Sequence, residues 1–184
     1  VKFRLNTAII GSTGYTGIEL VRLLSFHKKV EIKYLISDHN YGKKISDFHP
    51  ALKYKNYPKL TKFSKTNWKD IDVIFLCQPS GESKKKINKI PKNIAVIDLS
   101  NDFRLNSLTK NTWVYGLADH LDTFFKEKSE NCKNIKIANP GCYATSILSP
   151  LIPLLNNNFI ETEDIIIDAK SGISGAGKKN VTEN

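Results

Sequence analysis

One cysteine stands at the predicted start of a helix. Residues 139–143 are Asn-Pro-Gly-Cys-Tyr, and an apolar run at helical spacing, 144–155, follows at once. The first turn of a helix has N–H groups without an intrahelical partner and carries the positive end of the helix dipole, so a thiolate at Cys142 would be stabilised there. The same N–H groups can hold the oxyanion that forms when sulfur attacks a carbonyl carbon. Cys142 is therefore the candidate nucleophile. The structural alternative is that this cysteine is simply a small, buried apolar residue.

A second chemical signal is the glycine-rich turn near the N-terminus. The β-branched run 7–10 precedes it, and an apolar segment at helical spacing, 18–24, follows it. This order of strand, turn and helix is typical of a unit that binds a dinucleotide with the pyrophosphate at the helix N-terminus. The spacing predicts a tight turn at Gly11, backbone approach to the pyrophosphate at Gly14 and close helix–strand packing at Gly17. The residues expected to bind the cofactor here are Gly11, Ser12, Thr13, Gly14, Tyr15, Thr16 and Gly17.

The choice of cofactor depends on the end of the second predicted strand, 31–36, which should contact the adenosine ribose. Ser37 and Asp38 follow that strand, and Lys43 and Lys44 come soon after. An acidic residue favours the 2′-hydroxyl of NAD, whereas a serine with nearby cations favours the 2′-phosphate of NADP. The sequence offers both, and we favour NADP with Ser37 as its first contact.

Short β-branched runs alternate with helical segments along the chain. Further strands are predicted at 72–77, 95–99 and 135–138, with a helix near 83–90. Runs of this kind suit parallel strands that are buried on both faces. The predicted fold class is therefore α/β, a doubly wound Rossmann-type parallel sheet followed by the start of an α+β catalytic domain. Ligands of such sheets bind beyond the carboxyl ends of the strands.

A second unit is predicted after the Cys142 helix. Pro150 and Pro153 should kink or shorten that helix, and 164–169 is a further strand candidate. The segment 171–179 then combines three glycines and two serines with paired lysines, which suits either an anion-binding loop or a flexible loop. The expected domains are an NADP-binding Rossmann domain, 1–143, and the beginning of a catalytic domain, 144–184.

Composition excludes several classes of protein. No stretch approaches the roughly 18 consecutive apolar residues that a membrane span needs, so we expect no membrane partner. Three cysteines without a pairing pattern predict reduced thiols and a cytoplasmic location. The net charge of +10 comes from scattered lysines, so we expect no nucleic-acid partner; the lysine run 84–86 is expected at the solvated start of a helix. The chain of 184 residues contains no methionine and ends in a polar segment, from which we expect a piece of a longer protein.

Taken together, these segments resemble N-acetyl-γ-glutamyl-phosphate reductase, a family of NADPH-dependent enzymes of arginine biosynthesis. The resemblance extends over essentially the whole chain. The motifs that carry it, in order, are Gly11–Gly17, Ile45–Pro50, Ile97–Arg104, Val114–Leu117, Asn139–Tyr143 and Ser171–Gly177.

The resemblance implies that Cys142 attacks an acyl phosphate and forms a thioester, which NADPH reduces to a semialdehyde. It implies cofactor contacts from Ser174, Gly175 and Gly177, and substrate contacts from Asn139. Arg104 is a candidate for a substrate carboxylate or phosphate, with a structural ion pair to Asp98 or Asp102 as the alternative. A homo-oligomer is implied for the full-length protein, and no metal is expected.

The chain departs from the family pattern at two places. Pro79-Ser80-Gly81 stands where relatives often have Pro-His-Gly, and the His-Arg-His motif with the catalytic histidine is absent from these residues. None of His27, His39, His49 or His120 lies in a matching motif, so these 184 residues alone are expected to be inactive. The alternatives are an aminoadipyl-phosphate reductase of lysine biosynthesis and a non-catalytic NADP-binding module.

Overall fold

The computed structural model describes residues 4–105, 113–118 and 134–176. Within these residues six strands form one sheet in which every pair of neighbours is parallel, in the order β2-β1-β3-β4-β6-β5. The strands are β1 (Leu5–Ile10), β2 (Val30–Ile36), β3 (Val73–Leu76), β4 (Ala95–Asp98), β5 (Val114–Tyr115) and β6 (Lys136–Ala138). The α-helices are α1 (Tyr15–Ser25), α2 (Glu82–Ile87) and α3 (Cys142–Asn156), and short 3-10 turns connect other elements. This arrangement confirms the predicted doubly wound α/β fold.

The sheet is buried on both faces because its strands carry apolar side chains on both sides. Alternation along β1 places Ala8 and Ile10 in one core and Ile9 in the other. The first core continues through Ile74 and its neighbours on β3 and β4, and the second contains Val21 of α1. Each buried isoleucine stabilises the fold by roughly 1.5–3 kcal/mol, so these two cores determine the orientation of the strands.

The strand order defines where a ligand should bind. The chain goes from β1 to β2 on one side, and then returns to β3 on the other side of β1. A crevice at such a reversal, beyond the carboxyl ends of the strands, is the usual ligand site of an open α/β sheet. The turns that begin at Gly11 and Cys77 border this crevice, because they follow β1 and β3 directly.

The C-terminal part of the described chain differs from two predictions. Residues 164–169 do not form a strand; they are exposed, and Ile166 is 94% accessible. A β-branched run favours extended backbone, but a strand also requires a neighbouring strand to pair with. Helix α3 continues through Pro150 and Pro153 to Asn156, so the prolines do not shorten it, and a kink stays a prediction. Both prolines are exposed, so the carbonyl groups that lose their donors lie on the side of the helix that faces water.

None of the helices in the described ranges combines the length and the apolar character that a membrane-spanning helix requires.

Candidate active site

The turn between β1 and α1 has no room for side chains at two of its glycines. Gly11 has a φ of +78°, and a Cβ there would lie 2.4 Å from the carbonyl oxygen of Cys77. A Cβ at Gly17 would lie 2.2 Å from the carbonyl oxygen of Gly11. Gly14 differs, because the nearest atom to its Cβ position is 3.5 Å away. The protein's own packing therefore requires glycine at 11 and 17, whereas a methyl group at Gly14 would make only an ordinary contact with the Gly11 carbonyl oxygen.

The N-terminus of α1 is not capped by a side chain. Gly14 occupies the position before the helix, and no acidic residue lies in the first turn. Beside it, Ser12 is fully buried, and its hydroxyl has no hydrogen-bond partner among the described residues. Thr13 is partly buried, whereas Tyr15 and Thr16 are exposed at the start of the helix. This arrangement of uncapped N–H groups beside hydroxyls can hold an anionic group such as a pyrophosphate.

The end of β2 lies next to this turn, since the Gly11 N–H donates to the carbonyl oxygen of Ile36. Ser37 Oγ accepts a hydrogen bond from Asn40 Nδ2 at 3.2 Å. The Asp38 carboxylate accepts from the Phe63 N–H at 2.8 Å and from Lys86 Nζ at 3.1 Å. Partial burial raises the pKa of Asp38, but these two hydrogen bonds outweigh it and the pKa is lowered. Asp38 is therefore an ionised carboxylate with partners on both oxygens.

Backbone hydrogen bonds join the strand ends into a row along the edge of the sheet. The Cys77 N–H donates to Ile10, the Leu99 N–H to Leu76, and the Asn139 N–H to Asp98, each at the carbonyl oxygen. The row therefore runs from the glycine turn to Asn139. Its ends are roughly 14 Å apart, because neighbouring strands in a sheet are separated by about 4.8 Å.

The loop after β4 is held by a chain of polar contacts. Asp98 is buried, and Ser100 Oγ donates to its Oδ2 at 2.7 Å. Ser100 Oγ in turn accepts from the Asp102 N–H at 3.1 Å. The Asp102 carboxylate then accepts from the N–H groups of Gly81 and Lys84, at 2.6 and 3.0 Å, where α2 begins. These contacts position the loop, and both aspartates act within it as acceptors.

Two groups near these polar contacts, the Asp98 carboxylate and the Cys77 thiol, are unsuited to nucleophilic chemistry. Burial raises the pKa of Asp98, although the Ser83 and Ser100 hydroxyls act in the opposite direction. The Ser83 hydroxyl lies near the carboxylate without the geometry of a hydrogen bond. Burial, together with the charge of Asp98, raises the pKa of the Cys77 thiol to about 12. Cys77 therefore stays protonated at neutral pH.

Arg104 connects the β4 loop to the segment before Cys142. Its Nε donates to the Asn139 carbonyl oxygen at 2.9 Å, and its Nη2 donates to the Leu99 carbonyl oxygen at 3.1 Å. A Cβ at Gly141 would lie 2.9 Å from Nη1. The guanidinium group therefore lies directly against the residue that precedes the candidate nucleophile.

Cys142 is the first residue of α3, as the sequence predicts. Its thiol is free and the residue is exposed. Gly141 occupies the position before the helix without a side-chain cap, and the Gly141 carbonyl oxygen accepts from both the N–H and the Oγ1 of Thr145 at 2.9 Å. The Asn139 side chain lies nearby, with Nδ2 donating to the Pro140 carbonyl oxygen. The structure thus brings Cys142, Asn139 and Arg104 together at the sheet edge that also carries the glycine turn.

The second glycine-rich loop is described as far as Ala176. It contains a 3-10 turn, Ile173–Ala176, in which the Gly175 N–H donates to the Gly172 carbonyl oxygen. Ser174 and Gly175 are exposed, and Gly177 lies outside the described residues. An approach of this loop to the cofactor stays a prediction.

Sequence reasoning missed the polar residues that hold the strand-end loops. The sequence predicts Lys86 only as part of a solvated run, whereas the structure places it in contact with Asp38, 48 residues away. The spacing of Ser100 and Asp102 after the fourth strand was the available signal for their role. His120 and Cys132 lie outside the described residues. Within those residues, no cluster of three or more potential His, Cys, Asp or Glu ligands is arranged to hold a metal ion.

Comparisons with known proteins agree with this architecture. A family model described as semialdehyde dehydrogenase, NAD binding domain, matches residues 6–125, and one described as semialdehyde dehydrogenase, dimerisation domain, matches residues 142–184. Among solved structures, aspartate semialdehyde dehydrogenase II from Vibrio cholerae superposes with a TM-score of 0.66 at 20% identity, over 98% of this chain and 50% of that one. The Candida albicans aspartate semialdehyde dehydrogenase with NADP gives a TM-score of 0.58 at 21% identity, over 84% of this chain and 47% of that one. At these identities the likeness concerns the fold.

Curated relatives are more similar in sequence. The chain is 39% identical to N-acetyl-γ-glutamyl-phosphate reductase of Ehrlichia ruminantium (strain Gardel), over 97% of the chain and 54% of the relative. It is 42% identical to the Brachyspira hyodysenteriae protein of the same name, over 95% and 54%. A probable chloroplastic reductase of this name from Arabidopsis thaliana is 36% identical over 95% and 46%. The chain thus spans about half the length of the curated relatives it matches.

Proposed function

The chain belongs to the semialdehyde dehydrogenase family, and on that premise we propose that it is the cofactor-binding and nucleophile-bearing part of an N-acetyl-γ-glutamyl-phosphate reductase. The proposed reaction converts N-acetyl-γ-glutamyl phosphate to N-acetylglutamate semialdehyde and inorganic phosphate, a step of arginine biosynthesis. The observation that carries the proposal is an exposed, free Cys142 at the first turn of a helix, on the same sheet edge as the glycine turn.

The residues beyond β1 and β2 fit a nicotinamide dinucleotide. Gly11 and Gly17 allow the tight turn and the close packing of α1, and Gly14 places no side chain over its backbone. The start of α1 is uncapped, and the buried Ser12 hydroxyl lacks a partner among the described residues. These groups would hold the pyrophosphate, with contacts from Thr13, Gly14, Tyr15 and Thr16. When bound, the cofactor supplies the hydride that reduces the acyl group.

Cys142 is proposed to act as the nucleophile. Its thiolate attacks the acyl carbon, the carbon–oxygen bond to phosphate breaks, and phosphate leaves with the bonding electrons. The acyl group then remains on the sulfur as a thioester, which accepts hydride readily. The resulting hemithioacetal collapses, its carbon–sulfur bond breaks, and the aldehyde leaves with the Cys142 thiolate restored. The N–H groups of the first turn of α3 are suited to hold the oxyanion during attack, since Gly141 leaves them without a side-chain cap.

Arg104 and Asn139 are proposed to orient the substrate at the sulfur. The guanidinium group lies against Gly141, so its positive charge is close to the position that the leaving phosphate would occupy. The Asn139 amide belongs to the segment that Arg104 fixes. Ser174, Gly175 and Gly177 are proposed to approach the cofactor from the other glycine-rich loop.

We propose NADPH as the cofactor, with Ser37 as its first contact at the adenosine ribose. The proposed division remains a Rossmann domain, 1–143, and the beginning of a catalytic domain, 144–184, in a cytoplasmic homo-oligomer of the full-length protein. The 184 residues by themselves should bind the cofactor without reducing substrate, because the His-Arg-His motif of the resemblance is not among them.

The test measures reduction and acylation separately. Full-length protein should oxidise NADPH with N-acetyl-γ-glutamyl phosphate, followed at 340 nm, and should prefer it to the carrier-linked aminoadipyl phosphate. Without NADPH, mass spectrometry should detect the N-acetylglutamyl adduct on the peptide that contains Cys142. A preference for the aminoadipyl substrate, or turnover with the acyl group on another residue, would overturn the proposal.

A further inference from the structure

The residue after Ser37 is acidic, which is unexpected beside a 2′-phosphate. A carboxylate at the end of the second strand normally accepts hydrogen bonds from the ribose hydroxyls of NAD and repels the phosphate of NADP. Asp38 begins a 3-10 turn, Asp38–Asn40, directly after Ser37. A protein that binds NADPH here must therefore neutralise or redirect this carboxylate.

The segment after Thr61 redirects one oxygen of Asp38. Thr61 pairs beside β2, since its N–H donates to Leu35 and its carbonyl oxygen accepts from the Ser37 N–H. This pairing brings the Phe63 N–H to within 2.8 Å of Asp38 Oδ1. The carboxylate is thus held on the side of the turn that faces residues 61–63.

Lys86 neutralises the other oxygen from a distant part of the chain. Its Nζ lies 3.1 Å from Asp38 Oδ2 and 5.4 Å from the centre of the Phe63 ring. The Lys86 side chain is only 20% exposed, whereas that of Lys85, which pairs with Glu82 on its own helix, is 70% exposed. Of these two neighbouring lysines, one is a solvated surface cation and the other is held over the end of β2.

The groups around this pair suit a phosphate. Ser37 Oγ accepts from Asn40 Nδ2, so the serine hydroxyl hydrogen is oriented to donate elsewhere. In the same stretch, Tyr41 lies under two further cations, with Lys65 Nζ 4.4 Å and Lys62 Nζ 5.5 Å from its ring centre. With Asp38 already paired, the local charge is positive.

We propose that Lys86 is a cofactor-specificity residue: by holding the Asp38 carboxylate, it allows Ser37 to receive the 2′-phosphate of NADPH. This inference rests on the proposed function for its cofactor. Without the lysine, Asp38 would carry an uncompensated charge that repels the phosphate and can accept from the 2′-hydroxyl of NADH instead.

The experiment compares NADPH and NADH binding by the full-length protein without acyl substrate, from the change in nicotinamide fluorescence, so that turnover is not required. Wild-type protein should bind NADPH more tightly. Lys86→Met should weaken NADPH binding by about tenfold, the scale expected for one lost charge compensation, and leave NADH binding equal or tighter. Lys85→Met is the matched control on the same helix and should leave both affinities unchanged.

Asp38→Asn removes the charge instead of its partner. The single variant should keep or tighten NADPH binding, and Lys86→Met with Asp38→Asn should return it to within about threefold of wild type. An unchanged affinity ratio in Lys86→Met, a tenfold loss of NADPH binding in Asp38→Asn, or a wild-type preference for NADH would overturn the inference. A protein that binds both dinucleotides with these preferences but forms no adduct on Cys142 would refute the proposed function alone.

Discussion

The sheet region and the segment that follows Cys142 are packed in opposite ways. In the sheet, Ile9 and Ile74 are completely inaccessible, and buried residues lie on both faces. In α3 no residue is buried, and beyond it Phe159 is 73% and Ile166 94% exposed. The sheet region therefore obtains its stability from its own contacts. The later segment instead leaves large apolar side chains exposed.

Cys142 lies at the boundary between these regions. The residues just before it belong to the sheet, where Ala138 is fully buried and Asn139 is bonded to Arg104. The residues after it belong to the exposed helix. The sheet thus holds the segment that precedes the sulfur, whereas the helix that begins at Cys142 is exposed. Cofactor binding and chemistry should accordingly respond to different substitutions.

The largest expected effect separates chemistry from cofactor binding. Cys142→Ser in the full-length protein should lower kcat by at least about 10³-fold, because a hydroxyl is a far weaker nucleophile near neutral pH. NADPH affinity, measured by fluorescence, should stay within about twofold, since the glycine turn is untouched. Cys77→Ala is the matched control, because that thiol has a pKa of about 12 and should not contribute. Equal losses of kcat in the two variants would refute the assignment.

A pair of isoleucines tests the packing difference directly. Ile74→Ala should lower the free energy of unfolding by about 2–5 kcal/mol, because it leaves a cavity in the core that covers one face of the sheet. Ile166→Ala removes the same atoms from an exposed position and should change the free energy of unfolding by less than about 0.5 kcal/mol. Both values can be measured by urea unfolding of the 184-residue protein. A comparable loss in both variants would mean that residue 166 is packed in solution.

The glycine turn should combine a stability effect with a binding effect. Gly17→Ala places a methyl group 2.2 Å from the Gly11 carbonyl oxygen, so the turn or α1 must move. We expect a loss of about 1–3 kcal/mol in stability and about tenfold in NADPH affinity. Gly172→Ala is the control for the stability effect, since nothing lies within 4 Å of its Cβ position. NADPH binding that is unchanged in Gly17→Ala would remove this turn from the cofactor site.

The sheet was predictable from local pattern because its strands are short β-branched runs buried on both faces. The runs 7–10, 31–36 and 95–99 correspond to strands within one or two residues at each end. The run 164–169 has the same composition and fails, because pairing with a neighbour is a tertiary property that composition does not contain. The strand Val114–Tyr115 was missed as a strand for the converse reason: two residues carry no periodicity, and pairing with β6 defines them.

The site was predictable only where residues adjacent in the sequence form the feature by themselves. The Cys142 helix start and the strand–turn–helix unit at Gly11–Gly17 are local, and both were found. The Lys86–Asp38 pair and the contact of Arg104 with Asn139 join residues 48 and 35 positions apart. Side-chain contacts between residues so far apart in the sequence depend on the order of the strands in the sheet. The Asp102 carboxylate is a further example, since it accepts from the N–H groups of Gly81 and Lys84, 21 and 18 positions away.

The smallest expected effect concerns how the sheet positions the sulfur. In Gly141→Ala the new methyl group would lie 2.9 Å from Arg104 Nη1, and the end of a flexible side chain can move away at little cost. Stability should therefore change by less than about 1 kcal/mol, while the rate of Cys142 alkylation by iodoacetamide, followed by mass spectrometry, falls by about threefold. Arg104→Met removes both bonds to the main chain and should slow alkylation further, in the absence of any substrate. If alkylation is unchanged in both variants and only the KM for the acyl phosphate rises in Arg104→Met, then Arg104 acts on the substrate, and Cys142 is positioned by its helix alone.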